Sequence, residues 1–381
     1  LGHPHIVSVK AIITKGTRRY FLFQWADGGS LRDLYQDEER PSLSSNLIKE
    51  VVHQLSGLAD ALHKLHNYQK TESYRHGDLK PENILMFKDN THVGVWKIAD
   101  MGLAKRHISA TAQRGPTSTR DATPSYEPPE VKTRPNAAWS RLYDIWSMGC
   151  VTLEIIVWLL YGHGKLEELN KGIVSSDGHP GPYWLYDQPT KTARVHPTVI
   201  AYMEHIKTDP EGRASTAIRD LLRIVEDKLL VVPLSPRSET FRLAPESTTD
   251  IDDPQYTGAQ HPHIVVTDDS QSRNPVQPPP PEPIFGPSKF RATAEDFCNA
   301  LRAIEEEGEK DDAYWFTGTK RDGLSSPSLT QHGPQQLLSA PAIEQKVSGS
   351  DRHRRKLHEE TNTLLENGAC LIKLGQLPAW G

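Results

Sequence analysis

An α+β fold is predicted for this chain: mostly helix, a small strand component, and a long tail that cannot build a core. Three observations carry this. Residues 48–66, IKEVVHQLSGLADALHKLH, place Ile48, Val51, Val52, Leu55, Leu58, Leu62 and Leu65 at i, i+3, i+4 spacing, the stripe of a core-facing helix. Two short runs, YFLFQW at 20–25 and VGVWKIA at 93–99, are rich in aromatic and β-branched residues, and the first ends in the turn-forming DGGS. From Pro233 to about residue 290 the apolar periodicity stops. Pro, Ser, Asp and Gln take over, with PPPPEP at 278–283, where missing amide hydrogens and fixed φ forbid helix or central strand.

The remaining elements follow from the same rules. YDIWSMGCVTLEIIVWLLY at 143–161 is apolar nearly all round, which a helix tolerates only when buried on every side. Its most apolar part, IIVWLLY at 155–161, is far too short to span a bilayer, so no membrane partner is expected. Beyond the Pro-rich stretch, 294–306 and 352–366 have helical character, either docked or mobile, and the RHRRK cluster in the second favours mobility. RAST at 213–216 and RATA at 291–294 each precede an apolar stripe. One extra residue breaks the register of the second copy, so the pair reads as coincidence or weak duplication.

Composition narrows the function classes. With 381 residues and a net charge of -5 of mixed sign, the chain has room for one large domain but no basic, aromatic-laced surface for nucleic acid. Cys150, Cys298 and Cys370 are few, odd in number and far apart, which fits a reducing, intracellular compartment, cytoplasm and nucleus undistinguished. The chain opens on Leu1 with no signal-peptide pattern, and the start reads as a cut edge.

The segment RHGDLKPENILMF at 75–87 concentrates the chemistry. Asp78, Lys80 and Asn83, set around a Pro that fixes the turn, are the groups needed to orient a hydroxyl, neutralise phosphate charge and hold a metal. A further carboxylate, Asp100, follows the strand predicted at 93–99 and lies close to Gly102, where a backbone turns sharply. Oxygen ligands with a lysine suit Mg²⁺ and a nucleotide, because Mg²⁺ keeps waters and takes few protein ligands.

In order, these segments resemble a eukaryotic-type protein kinase from residue 1 to about 232. The resemblance implies a kinase-like fold, mostly the helical C-lobe with a partial N-lobe, followed by a largely disordered extension. It implies ATP and Mg²⁺ as cofactors and a protein Ser/Thr hydroxyl as substrate. Asp78 of HGDLKPEN matches the Asp that accepts or orients the hydroxyl proton, Lys80 the Lys on the γ-phosphate, and Asn83 the metal-binding Asn. Asp100 of Asp100-Met101-Gly102 stands in the place of the magnesium-holding Asp of Asp-Phe-Gly. LGHPHIV at 1–7 resembles the loop before the fourth strand, which makes Phe23 the gatekeeper and Gln24, Trp25 and Ala26 the adenine-contacting hinge. TPSYEPPE at 123–130 resembles T-x-x-Y-x-A-P-E, and its Thr favours Ser/Thr over Tyr substrates. Asp144 is similar to the helix Asp beneath the catalytic loop, and Arg213 to the Arg that pairs with Glu130. His76, Met101 and Trp146 read as buried scaffold.

Two features depart from the family pattern. The sequence has no Gly-rich loop, strand Lys or helix Glu, so a missing N-terminal segment is expected, with weak ATP binding by these residues alone. Gly77 replaces the Arg of His-Arg-Asp, so activity is expected not to need loop phosphorylation through that contact, despite Thr117, Ser118 and Thr119. The rival readings are a pseudokinase or scaffold whose Pro-rich segment recruits groove-binding partners, and a small-molecule kinase. Retention of Asp78, Asn83 and Asp100 favours the enzyme. The expected division is a partial kinase domain at 1–232, a Pro-rich linker at 233–290, a short helical segment at 291–316, and a low-complexity tail at 317–381 with one helix.

Overall fold

The structure, a computed structural model, describes residues 2–16, 18–37, 41–68, 72–101, 105–108, 123–137, 139–174, 181–235, 289–319 and 369–372. Most of the linker, the predicted helix at 352–366, and Gly102, Thr117, Ser118 and Thr119 lie outside these residues.

The chain starts with an antiparallel hairpin, β1 (Val9–Lys15) and β2 (Arg18–Gln24), in register Ile12 to Phe21 and Ile13 to Tyr20. A short helix α1 (Leu31–Gln36) follows, started by a reciprocal cap in which Ser30 and Asp33 exchange side-chain and backbone hydrogen bonds. The predicted amphipathic helix is α2 (Ser45–His66), opened by Ser44, whose hydroxyl accepts from Leu47 N. Its predicted stripe is buried from Ile48 to Leu65.

Between α2 and the next long helix lie three small strands and a fourth that returns: β3 (Glu72–Arg75), β4 (Ile84–Phe87), β5 (Val95–Ile98) and β6 (Lys105–Ile108). β4 and β5 form a hairpin and β3 pairs with β6, both antiparallel. After a one-turn helix α3 (Glu130–Thr133) comes α4 (Leu142–Tyr161), buried from Leu142 to Leu160. Among the described helices it is the one long and apolar enough to cross a membrane by length and composition, and the protein covers it completely. Its all-round apolar character is explained by neighbours on every side. The body continues with α5 (His163–Gly172), the hairpin β7 (Trp184–Asp187) and β8 (Thr192–Val195), then α6 (Pro197–Thr208), α7 (Pro210–Arg213) and α8 (Ala217–Ile224).

The packed core does not end near residue 232. Helix α9 (Ala294–Lys310) has a reciprocal cap of Thr293 and Asp296 and lies along α2. Its Phe297, Leu301 and Ile304 join the same buried cluster as α2 and α4, with Tyr314 and Trp315 beyond them. Glu305 accepts from Ser56 at 3.0 Å, and Lys49 reaches Asp312 at 2.5 Å. The two ends of the Pro-rich stretch meet: Arg291 N donates to Pro233 O and Ala292 N to Lys228 O, both at 2.9 Å. The helical segment at 291–316 is therefore part of the domain. Strand β9 (Ala369–Ile372), which the sequence did not announce, pairs with the second edge of β2, Phe21 opposite Ile372 and Gln24 opposite Ala369.

Candidate active site

The loop at 76–83 is built on a buried carboxylate. Asp144, in the first turn of α4, accepts from His76 N at 2.8 Å and Gly77 N at 2.9 Å, and pairs with His66 Nε2 of α2 at 2.8 Å. Burial alone would raise its pKa. The His66 hydrogen bond and the charges of His66 and His76 outweigh that and hold it below the usual carboxylate value. His76 is fully buried and donates from Nε2 to Ala99 O at 2.8 Å, which ties the loop to the end of β5. Gly77 has φ of 84°, in the left-handed region where a side chain is strained, so the local backbone itself accounts for glycine where the family pattern has Arg.

This footing presents Asp78, which is not an isolated carboxylate. Lys80 Nζ lies 2.9 Å from Oδ2, Asn83 Nδ2 donates to Oδ2 at 3.1 Å and to the Asp78 carbonyl at 2.8 Å, and Thr123 N donates to Oδ1 at 3.1 Å. Lys80 also donates to the Thr123 hydroxyl. These neighbours satisfy and orient the Asp78 carboxylate. With Asn83 Nδ2 committed to Asp78, its amide oxygen is the atom left to face a cation.

Asp100 reaches the same place through the β4–β5 hairpin. The register pairs Ile84 with Ile98, and Ala99 N donates to Asn83 O at 2.9 Å, so Asn83 and Asp100 emerge side by side at one end of the ladder. Asp100 is exposed and adopts φ of 55°, which Asp tolerates better than most residues. Met101 packs partly buried against the core, and Trp146 is fully buried. Of the hinge residues, Phe23 is half-buried one residue before the end of β2, Gln24 and Trp25 are exposed, and Ala26 O accepts from Gly29 N at 3.0 Å. The chain then runs against β4: Gly28 N donates to Met86 O at 3.1 Å and Met86 N to Gly29 O at 2.8 Å. A Cβ on Gly28 would sit 2.9 Å from that of Met86, so the close approach requires glycine.

The segment 123–130 is clamped from an unexpected direction. The sequence reading paired Glu130 with Arg213, but Arg213 is exposed at the end of α7. Arg291 takes the role: NH1 reaches Glu130 Oε1 at 2.7 Å and NH2 reaches Oε2 at 3.0 Å, a bidentate pair buried on both sides. Arg291 also donates to Leu142 O and Val231 O and lies 5.0 Å over the Trp146 ring. Both R-A-[ST] segments precede a helix, so local sequence does not distinguish the second from the first. The deciding fact is spatial closure of the chain at Pro233.

Sequence reasoning also missed a polar cluster beside this segment. Tyr126 and Tyr183 both donate to the buried Glu154 Oε1, at 2.8 and 3.2 Å. Arg32 donates to Tyr126 at 2.6 Å and to Glu82 at 3.0 Å and lies 3.7 Å from Glu154. Burial pushes the Glu154 pKa up, partly offset by Arg32 and the two tyrosines. Arg32, Glu82, Tyr126 and Tyr183 border a cleft of about 440 Å³ that also meets Thr123, Leu166 and Lys171. Upstream of the loop, Arg75 is buried between Trp139 and Tyr143 and donates to Trp139 O at 2.9 Å.

Glu127 is half-buried, and burial together with the charge of Asp78 pushes its pKa up to about 7. A raised folded-state pKa stabilises the fold fully below the unfolded value near 4.5, and that contribution is lost as pH rises through 7. Glu127→Gln is expected to gain about 1–2 kcal/mol on the parent between pH 5 and pH 8, after allowing for solvent screening of a half-buried group. Urea unfolding of both proteins at the two pH values measures it.

A helical body carrying a loop Asp-x-Lys-x-x-Asn, a strand-terminal Asp beside it and a clamped Pro-Pro-Glu segment resembles the catalytic lobe of a protein kinase. Residues 1–177 match the protein kinase domain family. Serine/threonine-protein kinase chk-2 of Caenorhabditis elegans is 33% identical over 153 residues, 40% of this chain and 29% of that protein. CBL-interacting serine/threonine-protein kinase 20 of Arabidopsis thaliana is 30% identical over 46% of this chain and 36% of its own length. Cyclin-dependent kinase-like 4 of Homo sapiens is 27% identical over 56% of this chain and 57% of its own. The chain thus spans less than two thirds of each of these relatives. A crystal structure of the yeast RNA Pol II CTD kinase CTDK-1 complex shares 26% identity over 41% of this chain and 46% of that one, with a TM-score of 0.33, and adds nothing to the assignment. Residues 1–177, just under half of the chain, are thus similar to the protein kinase domain.

Proposed function

We propose that this chain carries the catalytic lobe of a protein serine/threonine kinase, which transfers the γ-phosphoryl group of ATP to a protein hydroxyl. The observation that supports it best is the convergence of Lys80, Asn83 and the Thr123 amide on the Asp78 carboxylate. In this reading Asp78 orients the substrate hydroxyl and receives its proton, and the charge of Lys80 offsets that of the transferring phosphoryl group. Phe23, Gln24, Trp25 and Ala26 form the wall for adenine.

The residues present fit Mg²⁺. The amide oxygen of Asn83 and the carboxylate of Asp100 are hard oxygen donors side by side at one end of the β4–β5 ladder. That matches a cation which takes few protein ligands and completes its shell with water and phosphate. Bound there, Mg²⁺ supplies positive charge against the nucleotide phosphates.

The test is γ-phosphoryl transfer from labelled ATP to a mixed peptide pool by the protein expressed from its complete gene, followed by phosphoamino-acid analysis. Label on Ser and Thr supports the reading. Absence of label sinks it and leaves the scaffold alternative, in which the Pro run at 278–283 serves groove-type partners.

A further inference from the structure

The second edge of β2 is closed by residues far away in the sequence. β9 pairs with it in antiparallel register, Phe21 opposite Ile372, Leu22 opposite Leu371, Phe23 opposite Cys370 and Gln24 opposite Ala369. The pairing runs to the last residue of β2 and stops where Trp25 and Ala26 lead into the turn at Gly28 and Gly29. Phe23 and Gln24 belong to the wall proposed for adenine.

Of the side chains in that wall, only those of Gln24 and Trp25 are polar, and both residues are exposed. Fixing a planar heteroaromatic ring there falls largely to the backbone, and Ala26 O is already bonded to Gly29 N. Alternate residues of a strand turn N–H and C=O to opposite edges, so one of Phe23 and Gln24 aims both groups at the edge that β9 occupies. With β9 paired, those groups are spent on residues 369–370 and are closed to a ligand.

The sheet that β9 joins lies outside the core. β1 is exposed along its whole length, and no described residue of β2 is buried. A four-residue strand added to such a sheet gains ladder hydrogen bonds with little support from buried area, so its pairing opens at small cost. It is tethered to the domain by its own chain, which favours re-pairing within the molecule over pairing with a second copy.

We propose that β9 is an autoinhibitory strand: pairing of residues 369–372 with β2 and binding of ATP at the Phe23–Ala26 wall exclude each other. The inference rests on the kinase reading of that wall. A strand docked about nine-tenths of the time weakens apparent ATP affinity by about tenfold, because only the undocked fraction binds.

The experiment uses the protein expressed from its complete gene and reads Mg²⁺-dependent binding of a fluorescent ATP analogue. Leu371→Pro removes an amide hydrogen and fixes φ within β9, and a second form ends at residue 368. Both are expected to bind the analogue about tenfold more tightly than the parent. Two further proteins carry Cys370→Ser together with Leu22→Cys and Leu371→Cys, or with Phe21→Cys and Ile372→Cys. One of two consecutive pairs is non-hydrogen-bonded, and its Cα separation of about 4.5 Å suits a disulfide. Oxidation is expected to close that bridge within one chain, read by mass spectrometry, and to weaken analogue binding by about tenfold or more, with recovery on reduction. A bridged protein that binds like its reduced form overturns the inference, as does failure of both pairs to bridge within one chain. Equal binding by the parent, Leu371→Pro and the shortened form overturns the inference alone, whereas binding by none of the proteins overturns it together with the kinase reading.

Discussion

Arg291→Ala is expected to destabilise the domain by about 3–5 kcal/mol, while Arg213→Ala changes stability by no more than about 0.5 kcal/mol. The Arg291 guanidinium is buried, bidentate to Glu130, bonded to the carbonyls of Leu142 and Val231, and packed over Trp146. Truncation strands the Glu130 carboxylate in the interior, and losing one partner of a buried pair costs far more than the pair itself contributes. Because a domain of this kind is held by only about 5–15 kcal/mol, the loss is a large fraction of the whole. The double variant Glu130→Gln, Arg291→Met removes both charges and should recover part of it. Urea unfolding of the four proteins measures these differences. The effect of Arg291→Ala should extend to the platform, since the same side chain also holds the seam at Val231.

Asp144→Ala should cost a similar amount, about 3–5 kcal/mol, and should cripple phosphoryl transfer as well. Its carboxylate faces only donors: His76 N and His66 Nε2 at Oδ2, Gly77 N at Oδ1. Asp144→Asn is no remedy, because turning either carboxylate oxygen into an NH₂ group sets donor against donor. The pKa of Asp144 is held below its usual value, so its contribution is present above the unfolded value near 3.8 and is lost as pH falls through the lower folded value. The parent should therefore shed stability in acid that Asp144→Asn never had. Acid unfolding curves of the two proteins check this sign.

The parts legible from the sequence were those with strong local pattern. The α2 stripe and the apolar α4 follow from residue spacing, the order of motifs around Asp78 and Asp100 from the family resemblance, and in the fold Asn83 and Asp100 emerge side by side. The short pairs β3 with β6 and β7 with β8 were not read, because four-residue strands are fixed by their partners more than by their own composition. The clamp on Glu130 was misassigned for a related reason. Arg213 and Arg291 stand in near-identical local sequence, and only the hydrogen bonds from Arg291 and Ala292 to Pro233 and Lys228 show which one the chain folds back to present. Gly77 looked like a lost phosphate contact; its positive φ adds a backbone reason for that glycine. Glu127 was quoted only as a letter in a motif. Its importance comes from what surrounds it, and that is a property of the fold.

The decisive measurement is the rate of γ-phosphoryl transfer to a Ser/Thr peptide by the protein expressed from its complete gene, compared with Asp78→Asn in the same assay, with urea unfolding run on both. The account predicts that the variant stays folded while the rate falls by at least about a hundredfold, the loss expected when a positioned general base is removed. A folded Asp78→Asn protein that transfers phosphate at the parent's rate would contradict it.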